Sequence, residues 1–201
     1  IAGWLNREDL TARIPDFVSL AEADFNRSLR VAQMVVRATS TIADGDTYFP
    51  TPADWLESIA LSVTTSRGPI KLEYVTPADM DDYRLNYSDG VVLVENTAPA
   101  YYSVVGSRVE VAPTPSSDAA LIHRYYGKIP ALASNATNWL LTAAPDAYLY
   151  GSLLHAAPYL DDDMRVAVWQ AGYQRASQGL QSADERAKHS GGPLKRRFSA
   201  F

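Results

Sequence analysis

No cysteine occurs among the 201 residues, which removes disulfides, thiolate nucleophiles and cysteine-bound metal centres together. The three histidines, His123, His155 and His189, are scattered, and no H-E-x-x-H motif sets two of them on one helix face. Phosphate-binding glycine loops are missing as well: neither G-x-x-x-x-G-K-[ST] nor G-x-G-x-x-G opens a helix. The longest apolar segment, Ala147 to Leu160, is shorter than the ~20 residues a bilayer span takes. Pro158 and the aspartates Asp161, Asp162 and Asp163 close it. A basic stretch followed by an apolar one, the mark of a secretory leader, is not visible. Ile1 to Arg7 reads as the end of a helix, so the natural chain is expected to start earlier.

What is present is ordinary globular stock. With 47% hydrophobic and 20% charged residues, the chain is long enough for one core with an inserted or appended subdomain. The absence of cysteine fits a reducing compartment. Charge is uneven along a chain of net charge -5. Residues 1–37 balance five basic against five acidic side chains, and 38–128 set six against twelve. Residues 129–201 set seven against six. The middle therefore carries the negative excess, and an acidic face repels nucleic acid. After Glu185 no carboxylate side chain follows, while Arg186, Lys188, Lys195, Arg196 and Arg197 do. Such a run seeks phosphate or an acidic protein, or is a solvated tail.

Periodicity predicts an α+β chain. Ile14, Phe17, Val18, Ala21, Phe25 and Leu29 recur at helical spacing, with Pro15 in the first turn and Arg27 and Arg30 near the end. From Val35 the texture turns β-rich: V-V-R-A-T-S-T-I, I-A-L-S-V, P-I-K-L-E-Y-V, Y-Y-S-V-V, R-V-E-V-A and A-L-I-H-R-Y-Y. Turn residues at short intervals suit an antiparallel sheet, with the clearest hairpin at Gly106-Ser107. Within this region Thr76 as N-cap, Pro77 at the first helical position and Asp79 at the third predict a short helix. The last third is helical again, with one helix from Pro145-Asp146 to Pro158 and a second opened by Asp161, Asp162 and Asp163. In the second, Val166, Trp169, Tyr173, Ala176, Leu180, Ala183 and Ala187 form a narrow seam of the coiled-coil kind. Gly191, Gly192 and Pro193 stop it. The expected organisation is an α-helical bundle with an inserted antiparallel β-subdomain and an extended C-terminal arm. Residues 1–33 hold the first helices, 34–128 the β-rich part, 129–190 the last helices and 191–201 the arm.

Catalysis has little to draw on. Ser152 and His155 lie three apart on one helix face, and an aspartate from 161–163 would complete a nucleophile, base and acid. Yet Y-G-S-L-L is not the G-x-S-x-G elbow that exposes a serine, so a helix contact is the better reading. The three aspartates suit a hard cation, but adjacent helical residues cannot all face one ion, and a helix N-terminus already accounts for them. The pairs Tyr101-Tyr102 and Tyr125-Tyr126 could stack single-stranded bases. With the basic tail they make a single-stranded nucleic-acid-binding module the alternative function, against which stands the packing role of aromatics in strands.

N-W-L-L-T-A-A-P-D-A-Y-L-Y-G-S-L-L-H-A-A-P-Y-L-D-D-D, with D-L-T-A-R-I-P-D-F-V-S-L-A-E-A-D-F-N-R-S-L-R-V and Y-F-P-T-P-A-D-W-L-E, resembles the head-to-tail adaptor (connector) proteins of tailed bacteriophages, from Asp9 to about Lys188. The resemblance implies a structural protein without enzymatic activity or cofactor. It implies a ring, usually of twelve copies, between the portal protein of the head and a tail or nozzle protein, with a channel through which DNA passes without sequence-specific binding. The location implied is the virion, after assembly in the host cytoplasm. Ring closure would bury helices that one copy cannot cover. Tyr148, Leu149, Leu153, Leu154, Trp169 and Tyr173 are then candidate bundle or oligomer contacts. Asp79, Asp81 and Asp82 are candidate lumen acids. Leu194, Lys195, Arg196, Arg197, Phe198 and Phe201 are the candidate portal-docking arm.

Overall fold

The computed structural model describes residues 1–65, 68–88, 98–160 and 164–189. The chain is α+β and divides into two compact units, one made of Ile1–Met34 with the chain from Ile129 on, the other of Val35–Lys128.

The first unit is helical. A one-turn helix, α1 (Ala2–Leu5), ends on Asn6 in the left-handed conformation, a backbone that asparagine tolerates better than most residues. After a 3-10 segment over Glu8–Arg13 comes α2 (Ile14–Ser28), with Pro15 in its first turn and Phe17, Ala21 and Phe25 buried. The chain returns through α4 (Trp139–Ala143), α5 (Pro145–Ala156) and α6 (Arg165–His189). Leu5, Leu10, Phe17, Leu153, Ala156 and Trp169 form one buried cluster. Each large side chain removed from water there contributes about 1.5–3 kcal/mol.

The apolar seam of α6 is shorter than the sequence predicts. Trp169 and Ala176 are buried and Val166, Tyr173 and Leu180 are half-buried, but Ala183 and Ala187 are exposed. Asp184 is buried instead, accepting the Ala32 N–H at 2.6 Å and pairing with Lys188 at 2.5 Å. Asp184 stands about 80° round the helix from Ala176, so its burial follows from the Ala32 N–H it accepts and not from continuation of the heptad seam.

The second unit is two four-stranded sheets facing one another. Strands β1 (Val35–Ile42), β3 (Trp55–Thr65), β4 (Gly68–Lys71) and β8 (Ala119–Gly127) form the first, in the order β1-β8-β3-β4. Strands β2 (Tyr48–Pro50), β5 (Glu73–Tyr74), β6 (Tyr101–Val105) and β7 (Arg108–Ala112) form the second, ordered β2-β7-β6-β5. Ile42, Leu61, Val63 and Leu121 from one sheet meet Phe49, Tyr102, Val109 and Val111 from the other in a single buried cluster. The strict alternation of burial along β8 follows from the two-residue period of a strand. Every described pairing is antiparallel except β5 with β6, which is parallel. The hairpin β6–β7 turns at Gly106, whose positive φ of 60° suits glycine. Between the sheets' connections lies α3 (Pro77–Ser88). Its N-terminus is capped by Thr76, whose Oγ accepts the Asp79 N–H at 3.2 Å and donates to the Asp79 carboxylate at 2.7 Å.

Candidate functional site

The apolar segment raised by the sequence is α5, and it packs between α2 and α6. Two glycines allow the close approach. A Cβ at Gly151 would lie 3.1 Å from the Phe25 ring and 3.3 Å from Ala21, and one at Gly172 would lie 2.7 Å from the Tyr150 ring. Phe25 is flanked by Tyr148 edge-on at 5.1 Å and by Tyr173 stacked at 6.1 Å, so one ring of α2 meets both later helices.

Polar groups tie the same helices together. Glu22, buried on α2, accepts the Leu132 N–H at 2.8 Å and the Tyr148 hydroxyl at 3.1 Å. Asn138 caps α4 through the Leu141 N–H at 2.8 Å and donates to the Pro130 carbonyl at 2.7 Å and to the Tyr148 oxygen at 2.6 Å. Burial pushes the Tyr148 hydroxyl up to about 12, opposed by the Asn138 bond and reinforced by the Glu22 carboxylate. A buried carboxylate with two donors is stabilised where an unpaired one would be costly. Neither Glu22 nor Asn138 stood out in the sequence. The available signals were an acid beside Ala21 on the apolar side of α2, and an Asn immediately before Trp139.

Among the described residues Ser152 and His155 are not hydrogen-bonded to one another. Ser152 is fully buried, and its hydroxyl has no hydrogen-bond partner among the described residues. The acid beside His155 is Asp24 of α2, with Nε2 2.8 Å from Oδ2. Asp24 also takes a short ion pair from Arg27. Partial burial works to raise the Asp24 carboxyl, but the hydrogen bonds from Arg27 and His155 outweigh it and hold the group below its usual value. This pair borders a half-open hollow of about 300 Å³ whose apolar lining includes Ala21, Gly151 and Leu154. Asp161, Asp162 and Asp163 lie outside the described residues. Among the described residues no three His, Asp or Glu side chains gather to hold a metal ion.

Of the candidate contact residues, Tyr148, Leu153 and Trp169 are buried within the helical unit itself, whereas Leu149, Leu154 and Tyr173 are half-buried. The candidate acids Asp79, Asp81 and Asp82 are all exposed on α3. The tyrosine pairs do not make a stacking platform. Tyr102 and Tyr125 are buried, Tyr101 is stacked on Tyr83 at 4.4 Å, and Tyr125 donates to Asp54 at 2.9 Å. The arm, Leu194, Lys195, Arg196, Arg197, Phe198 and Phe201, lies outside the described residues.

The bonds around α5 fix the helices of this unit to one another. The chain belongs to the SU10 adaptor protein family, whose model matches residues 1–197, a family of phage head-to-tail adaptors. None of the curated proteins matches the chain. It is therefore a structural protein of a bacteriophage virion, associated with other head and tail proteins. No described helix is long and apolar enough to cross a membrane.

Proposed function

We propose that copies of this chain close into a ring, of twelve in the reading its family suggests, between the portal and the tail or nozzle, leaving a channel for DNA. One observation carries the reading: the helical unit leaves large apolar side chains in water. Met164, immediately before α6, and Val168, in its first turn, are 91% and 65% exposed, and Trp4 and Leu20 are about half exposed. With the half-buried Leu149 and Leu154, these supply apolar area for neighbouring copies, and a ring needs two different faces on each copy. Leu194, Lys195, Arg196, Arg197, Phe198 and Phe201 would then dock on the portal, the aromatics as anchors and the basic groups against an acidic groove. Asp79, Asp81 and Asp82 would sit on or near the lumen, where carboxylates repel phosphate and let DNA pass.

Mass measurement of the purified chain, alone and after addition of the portal protein, tests the ring. A closed multiple of the 22.0 kDa protomer in either sample is the expected result. A monomer in both would refute it.

A further inference from the structure

Charge in the β unit is sorted between its two sheets. The strands of the β1-β8-β3-β4 sheet carry Arg37, Lys71 and Arg124 against a single acid, Glu57. Those of the other sheet carry Arg108 against Glu73 and Glu110. The acidic excess of residues 38–128 is thus not a property of the first sheet, whose strands are net basic.

The two-residue period of a strand places that charge on one face. Leu121, His123 and Tyr125 of β8 are buried, so Ile122 and Arg124, of the other parity, point outward. The register sets Arg37 of β1 directly opposite Arg124 on the outward face. In the next row stand Thr39, Ile122, Ser62 and Lys71, one from each strand. Opposed Cα atoms in such a ladder lie about 5 Å apart, and successive rows on one face about 7 Å. Arg37, Arg124 and Lys71 are all exposed. Among the described residues none of the three is paired with a carboxylate.

Like charges opposed across an antiparallel ladder are destabilising, and a local conflict of this kind is expected where a surface serves a ligand. The ligand that relieves it is an anion with more than one charge. Two guanidinium groups side by side, with hydroxyls and a lysine in the adjoining row, are the donor set that takes phosphate oxygens. Four strands span about 14 Å, and one strand of a duplex carries a phosphate per about 3.4 Å of axis, so the face is wide enough for several. The two rows hold no aromatic ring on which a base could stack, and a sheet lying flat presents no element to enter a groove. An acidic protein fits less well, because protein interfaces centre on apolar or aromatic anchors and the apolar member of these rows, Ile122, is half-buried.

We propose that the outward face of the β1-β8-β3-β4 sheet binds the phosphodiester backbone of duplex nucleic acid, with Arg37 and Arg124 on neighbouring phosphates and Lys71 at the flank. Recognition is through the backbone, independent of sequence and sensitive to salt. The face belongs to a single copy, so it does not depend on closure of a ring.

A labelled DNA duplex titrated with the purified chain over a series of salt concentrations, and read by fluorescence anisotropy, tests this. Binding at low salt that weakens steeply as salt rises is the expected result. Arg37→Gln combined with Arg124→Gln should lower the affinity about tenfold and reduce the slope of log affinity against log salt by about two. Arg124→Gln alone should raise the melting temperature while it weakens binding, a combination that damage to the fold cannot produce. Polyglutamate at equal charge concentration should leave most of the duplex bound. Absence of binding at low salt, or binding indifferent to the double substitution, would overturn the proposal. So would complete loss of binding on neutralising only Lys195, Arg196 and Arg197, which would move the contact to the C-terminal run. Displacement of the duplex by polyglutamate would make an acidic protein the partner and overturn it as well. Mass measurement of the same sample reports the ring separately, so the failure of either reading leaves the other standing.

Discussion

Gly172 lies so close to the ring of Tyr150 that a Cβ added at 172 would stand 2.7 Å from Cε2, whereas at Gly179, two turns further along the same helix, nothing comes within 4 Å. Alanine in place of glycine favours a helix by about 1 kcal/mol. Gly179→Ala should therefore raise the melting temperature. Gly172→Ala should lower it, because displacing a packed ring costs about 1–3 kcal/mol and outweighs the helical gain. Thermal unfolding followed by circular dichroism reads both, and equal stabilisation by the two substitutions would deny that α5 and α6 meet at this point.

Tyr148→Phe removes the hydroxyl that joins Glu22 to Asn138, at a cost of about 0.5–1.5 kcal/mol near neutral pH. Its pH signature is more diagnostic. The folded tyrosine is held up to about 12 from an ordinary 10, so the folded chain keeps a proton that the unfolded chain releases. This contribution is complete below pH 10 and is lost as pH rises from 10 through 12. Denaturant titrations across that window should show a shallower alkaline loss in Tyr148→Phe. Tyr125, also raised to about 12, should do the same for the β unit.

At the acid end the sign reverses. Asp24 and Asp184 are both held below their ordinary value. Burial of Asp184 opposes the shift, while Lys188 and the Ala32 N–H produce it. Their contribution is present above the unfolded value of 3.8 and is lost as pH falls through the lower folded values. Asp184→Ala should cost about 1–3 kcal/mol at pH 7 by stranding the Ala32 N–H, and its penalty relative to wild type should shrink below pH 3.

Neighbouring leucines of α5 should separate folding from assembly. Leu153 is fully buried in the unit's own core, while Leu154 is half-buried. Leu153→Asp should abolish the cooperative melt. Leu154→Asp should keep it and reduce the assembled fraction in sedimentation, since a charge left in a dry contact costs several kcal/mol at each interface.

Removal of Leu194 to Phe201 should leave helix content and melting temperature unchanged while attachment to portal-containing heads falls at least tenfold. Neutralising only Lys195, Arg196 and Arg197 should weaken attachment more at low salt than at high salt. Undiminished attachment of the truncated chain in a co-sedimentation assay would make those residues a passive tail.

Local chemistry was the most legible part of the sequence. Thr76 and Pro77 announced α3, Gly106 the β6–β7 hairpin, and Pro15 and Pro145 the starts of two helices. These signals act over a few residues, which is why the order of the chain reveals them. The two-sheet arrangement was not legible, because the single expected run P-I-K-L-E-Y-V is split at Leu72, with β4 in one sheet and β5 in the other. The pairing of His155 with Asp24 joins residues far apart in sequence, and helical spacing instead suggested Ser152. Glu22 escaped for a related reason: a buried acid is recognised by its donors, and Leu132 and Tyr148 are brought to it only by the fold.

The β unit begins at Val35 and ends just after Gly127, and Val35 is paired with Tyr126 across β1 and β8. Its two ends therefore meet about 5 Å apart, at the spacing of adjacent strands. An insertion whose ends meet can lengthen, shorten or be replaced without stretching the chain that carries it. The sandwich is in that sense an exchangeable cassette. A hairpin turn of about two to five residues could join its ends into a permuted chain, and the same closure would allow the cassette to be transplanted into another host loop.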